Sequence, residues 1–110
     1  MTVGVDAALR AIGEPRRREI LRLVWDGERS SGEIASHFDI TGPAVSQHLK
    51  VLREAGLVNE RREGIRHLFS VNREALRELR DKLAWMWDDG LADLKHAAEK
   101  EARPAKRRGR

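Results

Sequence analysis

The sequence contains no cysteine and no long apolar run. The absence of cysteine excludes disulfide bonds, thiolate metal sites and a cysteine nucleophile. No stretch approaches the roughly 18 consecutive apolar residues of a membrane-spanning helix. The first residues have neither the basic nor the apolar segment of a secretory signal peptide. We therefore expect a cytoplasmic protein.

A strong excess of one charge is also missing, except at the C-terminal end. Lys and Arg number 22 and Asp and Glu 18, which gives a net charge of +4. Five of the basic residues lie in 103–110, which holds no acid, so 17 basic and 18 acidic residues remain in 1–102. We predict one small domain over 1–102 and a disordered basic tail over 103–110. The tail either solubilises the chain or adds nonspecific attraction to DNA.

Residues that start and stop helices divide the first half of the chain into four predicted helices. Pro15 suits the first turn of the second helix. Ser30 begins a capping box at the start of the third helix. Thr41 can cap the fourth helix, and Gly56 is suited to end it.

The second half of the chain is predicted to form a hairpin and a long helix. Segment 57–62 alternates only partly between apolar and polar residues, whereas segment 66–71 alternates well, and the two flank a turn at Glu63 and Gly64. Asn72 can cap a helix that continues to about residue 102. Because one hairpin is too little sheet to be stable alone, it must pack on the helices. The predicted fold is mainly α with a small β-hairpin.

The third and fourth helices, joined by a tight turn, indicate a helix-turn-helix. We expect Asp39 to supply the positive φ that such a turn commonly needs. Gln47 can form two hydrogen bonds with adenine in the major groove, and the free N–H groups near Thr41 and Gly42 favour phosphate. The outward face of the fourth helix holds almost no acid and presents Pro43, Ser46, Gln47 and Lys50.

The predicted hairpin is basic around its turn. Its strands carry Arg61, Arg62, Arg66 and His67. The second helix of a helix-turn-helix is its recognition helix, here the fourth helix. A basic hairpin that directly follows such a helix is typical of a wing, which lies along the DNA backbone or in the minor groove. We therefore predict a winged helix-turn-helix.

The last predicted helix carries an apolar residue at every third or fourth position. These residues are Leu76, Leu79, Leu83, Met86, Trp87, Leu91, Leu94 and Ala98. The helix would span about 45 Å, more than one small core can cover. Burial against a second copy of the chain is the natural solution. Trp85 and Trp87 lie about 200° apart on the helix, so only one of them can face that copy.

Two segments resemble the ArsR-type (arsenic-repressor-like) family of small winged-helix repressors from bacteria and archaea. They are residues 14–21 (EPRRREIL) and 42–58 (GPAVSQHLKVLREAGLV), within a resemblance that covers about residues 6–98. The resemblance implies a dimer formed by the first and last helices. It implies two recognition helices in successive major grooves of an imperfect palindrome near a promoter. The residues assigned to this dimer contact are Leu9, Leu79, Leu83, Met86, Trp87, Leu91 and Leu94.

Many members of that family release DNA when a metal binds. One type of site uses cysteines in the helix before the recognition helix, and the matching stretch 33–38 has none. A second type uses four ligands in the last helix. His96 and Glu99 match one pair, but Leu83 and Trp85 stand where the other pair is required. Because two ligands do not make a closed zinc site, we predict no metal and no cofactor.

The residues thus predict a DNA-binding transcriptional regulator, and the resemblance implies that it acts as a homodimeric repressor at a palindromic promoter site. His48 is either a half-buried packing residue or a contact at the edge of the DNA face. No Ser, His and acid are spaced for catalysis, so an enzyme is not expected. Two alternatives stay open: a sensor repressor that responds to a ligand or metal, and a winged-helix module that binds a protein. The predicted DNA contacts are Arg17, Thr41, Gly42, Pro43, Ser46, Gln47, His48, Lys50, Arg61, Arg62, Arg66 and His67.

Overall fold

The computed structural model describes residues 4–85. Within them the elements follow in the order α1 (Val5–Ile12), α2 (Pro15–Leu23), β1 (Arg29–Ser30), α3 (Ser31–Ala35), α4 (Gly42–Glu54), β2 (Val58–Glu63), β3 (Arg66–Val71) and α5 (Arg73–Trp85). The architecture is mainly helical with a small antiparallel sheet, which confirms the predicted fold class. The predicted continuation of the last helix and the predicted tail lie outside the described residues.

Two compact units, residues 1–79 and 80–110, make up the chain. The elements from α1 to β3 all belong to the first unit. Residues 4–85 contain no helix that could span a lipid bilayer.

Hydrogen bonds confirm the predicted capping residues at the starts of α3 and α4. Ser30 and Glu33 form the capping box of α3, with reciprocal side chain to backbone bonds of 3.1 and 2.8 Å. The Thr41 hydroxyl accepts a bond from the Ala44 N–H at 3.2 Å and so caps α4. Pro15 stands in the first turn of α2, where its missing N–H costs nothing. Local chemistry alone therefore places these helix starts.

The C-terminal end of α4 directs the chain into the wing. Gly56 has a φ of 80°, and its N–H donates to the Arg53 carbonyl at 2.9 Å. The N–H of Leu57 donates to the Leu52 carbonyl at 3.0 Å. This pair of bonds is a Schellman motif, which favours glycine at the left-handed position. The helix thus ends where the sequence predicts, and β2 begins two residues after Gly56.

The link between α3 and α4 differs from the prediction. No residue other than glycine has a positive φ among the described residues, so the expectation for Asp39 is wrong. The physical reason is the early end of α3 at Ala35, which leaves the whole of 36–41 for the reversal. A link of that length can turn through ordinary φ values. Phe38 and Ile40 in this link are half-buried.

The sheet has three strands in the order β1-β3-β2, each antiparallel to its neighbour. β2 and β3 form the predicted hairpin, with Val58 opposite Val71 at one end and Glu63 opposite Arg66 at the other. Gly64 opens the loop with a φ of 63°, which glycine adopts without strain. The sequence does not indicate β1, because two residues are too few to show alternation.

The core of the first unit fixes the orientation of α4. Val45, Leu49 and Leu52 lie on one face of this helix and are buried. Among the described residues no polar or charged side chain is buried. The fully buried side chains of largest volume are Ile20, Ile34, Leu52, Leu57, Val24 and Val45. The opposite face of α4 is therefore free to meet solvent or a partner.

Candidate nucleic-acid interface

The outward face of α4 is polar and exposed, as predicted. Ser46, Gln47 and Lys50 are all exposed. Across residues 4–85 their side chains have no hydrogen-bond or ion-pair partner. Their donors and acceptors are therefore available to an external ligand, while the buried face of α4 keeps the helix in place.

The start of α4 is equally open. Thr41, Gly42 and Pro43 are exposed. Apart from its chain neighbours and the backbone of its own helix, no described heavy atom lies within 4 Å of the position that a Cβ of Gly42 would occupy. A DNA backbone can therefore come close to the first turn of this helix, where the helix dipole favours phosphate.

Arg17 on α2 and His48 on α4, both predicted DNA contacts, lie beside each other. Arg17 Nη1 is 3.3 Å from His48 Nδ1. The same guanidinium donates from Nε to the Ala11 carbonyl at 2.8 Å and from Nη2 to the Arg10 carbonyl at 3.3 Å. Both residues are half-buried. This geometry supports the packing alternative for His48, and it gives Arg17 a structural task at the junction of α1, α2 and α4.

On the wing, Arg61 is held by a carboxylate from the loop before β1. Its Nε and Nη2 donate to the two carboxylate oxygens of Glu28 at 2.9 and 2.7 Å. This two-pronged contact lowers the pKa of Glu28 and raises that of Arg61. A more distant contact of 3.7 Å joins Arg61 to Glu63. The charge of Arg61 is therefore largely matched inside the molecule.

The other wing arginines are held less tightly. Arg66 is exposed and lies 3.7 Å from Glu63. Arg62 is exposed, and its Nη2 is 3.4 Å from Nε2 of the half-buried His67. Because side chains alternate along a strand, Arg61 and Arg62 leave β2 on opposite faces. The Arg62 face also carries Glu60, which contacts α4.

A cleft of about 250 Å³ separates α4 from the wing. Glu60 bridges it, since Oε1 accepts from Arg53 Nη1 at 2.7 Å and Oε2 lies 2.6 Å from His67 Nδ1. The bond to His67, and after it the bond to Arg53, lower the pKa of Glu60. The cleft is lined by Ser31, Ser46, Leu49, Lys50, Arg53, Glu60, His67 and Phe69.

Sequence reasoning missed the bridge between Arg53 and Glu60. The two residues are seven positions apart and belong to a helix and a strand, so neither helical nor strand periodicity relates them. The predicted end of α4 at Gly56 was the one available signal, because a chain that reverses there brings the start of β2 back toward the last turn of α4.

The predicted dimer residues are only partly described. Leu9 on α1 is 39% exposed, which leaves apolar surface open on this helix. Leu79 is only 6% exposed, so its own chain already covers it. Leu83 is half-buried. The other four, Met86, Trp87, Leu91 and Leu94, lie outside the described residues.

Within 4–85 no three His, Asp or Glu side chains come together in a way that could hold a metal ion. His96 and Glu99, which match half of a family site, lie outside this range.

The known proteins that this chain resembles are described as transcriptional regulators. A family model described as "Bacterial regulatory protein, arsR family" matches residues 14–60, which contain α2, α3 and α4. The chain is 38% identical over 77 residues to the transcriptional repressor SdpR of Bacillus subtilis, covering 70% of this chain and 82% of that protein. It is 34% identical over 96 residues to the HTH-type transcriptional regulator Rv2034 of Mycobacterium tuberculosis, covering 87% and 90%.

A solved structure is similar over most of the chain. It is described as a possible transcriptional regulator for arsenical resistance and shows 36% sequence identity. The TM-score is 0.70, over 81% of this chain and 93% of that one. This structural similarity covers most of the chain, whereas the family model matches only residues 14–60.

Proposed function

The chain belongs to the ArsR family of bacterial regulatory proteins, and we propose that it represses transcription as a homodimer bound to a palindromic operator. It is a DNA-binding transcriptional regulator and not an enzyme, as the sequence predicted. One observation carries the proposal. Ser46, Gln47 and Lys50 are exposed without a partner among residues 4–85, on a helix whose other face is buried.

We propose that α4 lies in the major groove. Gln47 bonds to adenine through its amide oxygen and nitrogen, and Ser46 contacts a neighbouring base edge. Thr41 and Pro43 meet bases at the start of the helix, where the Gly42 N–H is close to phosphate. These groups specify the sequence because they reach base edges rather than the backbone.

The phosphate contacts come from cations that are not already neutralised. Lys50 has no partner within 4–85, and Arg62 and Arg66 are exposed with only long contacts. Arg61 and Arg17 add positive charge near the DNA, but their guanidinium groups also hold the protein together. His67 adjoins Arg62 and supports it.

The dimer uses α1 and the last helix. The open apolar surface at Leu9 supports this arrangement on α1. Two chains related by a twofold axis would place their recognition helices about 34 Å apart, one turn of DNA. The occupied site blocks RNA polymerase, in the cytoplasm where bacterial DNA lies.

Selection from a pool of duplexes with a randomised centre tests this proposal. We expect enrichment of an inverted repeat whose half-sites are about one helical turn apart. Sedimentation of the complex should give two chains per duplex. If no sequence is enriched, or if one chain occupies each duplex, the proposed operator or the proposed dimer is wrong.

A further inference from the structure

Glu60 lies where α4 meets the wing, and we propose that it is a positioning residue for DNA binding. It would fix the angle between the recognition helix and the wing without touching DNA. The inference rests on the proposed function, since it concerns how the two DNA-contacting elements are held together.

The contacts of Glu60 join three elements. One carboxylate oxygen accepts from Arg53 in the last turn of α4, and the other lies beside His67 on β3, at 2.7 and 2.6 Å. Glu60 itself belongs to β2. Because each oxygen has its own partner, the carboxylate cannot rotate without losing a charge-assisted bond.

The bridge also reaches residues proposed to contact DNA. Ser46, Lys50 and Arg53 follow one another at helical spacing and all line the cleft that Glu60 spans. On the wing side, the Nδ1–H tautomer of His67 donates to Glu60. Nε2 of that tautomer can accept from Arg62, whose Nη2 is 3.4 Å away. Glu60 therefore stands between the reading face of α4 and a phosphate-contacting arginine.

Most exposed ion pairs contribute little to protein stability. The ion pairs of Glu60 differ in burial from those of Glu63, another carboxylate on the wing. The side chain of Glu60 is 18% exposed, whereas that of Glu63 is 58% exposed. The ion pairs of Glu63 are 3.7 Å long, connect only wing residues and do not reach α4. Glu63 is thus a matched control on the same strand.

The loss of a negative charge and the loss of positioning should change the DNA affinity of the Glu60→Gln variant in opposite directions. Removing an acid from a DNA-binding surface makes the protein more positive, which by itself strengthens binding to a polyanion. A loss of positioning weakens binding to the sequence that both elements must contact at once. Glu63→Gln makes the same change in charge without breaking the bridge.

The experiment measures the affinity of wild type, Glu60→Gln and Glu63→Gln for two duplexes. One is the duplex enriched by the wild-type protein from the randomised pool, and the other has a random sequence. We expect Glu60→Gln to bind the selected duplex about tenfold more weakly, the equivalent of one charge-assisted hydrogen bond. Its affinity for the random duplex should be unchanged or higher. Glu63→Gln should bind both duplexes at least as well as wild type.

Two further variants keep the test decisive. In an Arg53→Gln background the Glu60→Gln change should cost less affinity than it does in the wild type, because the contact between Arg53 and Glu60 is already lost. Thermal melting establishes that each variant is folded at the assay temperature. Should Glu60→Gln not be folded, Glu60→Asp keeps the charge but shortens the reach, and we expect the same selective loss.

The inference is overturned if Glu60→Gln behaves like Glu63→Gln, or if it weakens both duplexes by the same factor. Failure of the proposed function looks different. In that case the wild-type protein itself enriches no duplex.

Discussion

Helix α4 and the wing are the two surfaces offered to DNA, and they use their polar groups in opposite ways. On α4, Ser46, Gln47 and Lys50 are exposed and have no partner within residues 4–85. On the wing, Arg61 is bound by Glu28, and Glu60 is bound by residues on either side of the cleft. The polar groups of the helix are available to DNA, whereas many polar groups of the wing form ion pairs within the protein.

This difference shows why the number of charges is a poor guide to where DNA is read. The hairpin is rich in arginine, but part of that charge is matched by Glu28 and Glu63. The face of α4 has few charges, yet its free amide and hydroxyl groups can distinguish bases. Base specificity requires polar groups that have no partner within the protein and that project from a rigid element. The buried face of α4 makes that helix rigid, and the paired charges hold the wing.

The largest expected effect concerns the rigid support of α4. Leu52 is fully buried, so Leu52→Ala should lower the free energy of unfolding by about 2–5 kcal/mol. At the wing tip Ile65 is 96% exposed, and Ile65→Ala should change it by less than about 0.5 kcal/mol. Urea denaturation measures both. Similar values for the two variants would mean that α4 is not anchored through its buried face.

The Arg17→Gln variant tests whether Arg17 stabilises the fold or contacts a DNA phosphate. Because its guanidinium donates to two carbonyls of α1, we expect a loss of about 1–3 kcal/mol in the free energy of unfolding. Arg10→Gln makes the same change in charge at an exposed side chain and should have little effect. Unchanged stability in Arg17→Gln, together with a weaker salt dependence of DNA binding, would assign Arg17 to phosphate instead.

Removing the cap of α4 should have a smaller effect. Thr41→Ala leaves the Ala44 N–H without its partner and should cost about 1 kcal/mol of unfolding free energy. Thr41→Ser retains the hydroxyl and should recover most of that loss. If Thr41→Ala and Thr41→Ser melt at the same temperature, the hydroxyl does not stabilise the helix.

The smallest effects are expected on the wing, in the salt dependence of DNA binding. Arg62→Gln should reduce the slope of log affinity against log salt by about 0.9, the value for one phosphate contact. Arg61→Gln should reduce it less, because Glu28 already matches that charge. Glu28→Gln should steepen the slope by releasing Arg61. Equal slopes for the two arginine variants would contradict the division between paired and available cations.

Local chemistry made much of this fold predictable. Ser30 and Thr41 cap helices by their own side chains, and Gly56 ends α4 because of its φ. The exposed positions of α4 followed from helical periodicity. The sequence therefore predicts which residues α4 presents.

The partners of charged residues were not predictable in the same way. Arg61 and Glu28 are 33 positions apart, and Arg17 and His48 are 31 apart. Only the folded chain brings such pairs together, since no local pattern links them. The same limit hid β1, which exists because Arg29 pairs with Phe69 from the hairpin.

Base preference tests the central claim most directly. Competition among all single-base variants of the selected duplex gives a preference profile for wild type, Gln47→Ala and Lys50→Ala. We expect Gln47→Ala to lose discrimination at one position in each half-site, with a cost of about 1–3 kcal/mol on the selected duplex. Lys50→Ala should weaken every variant by the same factor. An unaltered profile and affinity in Gln47→Ala would contradict the assignment of α4 as the reading element.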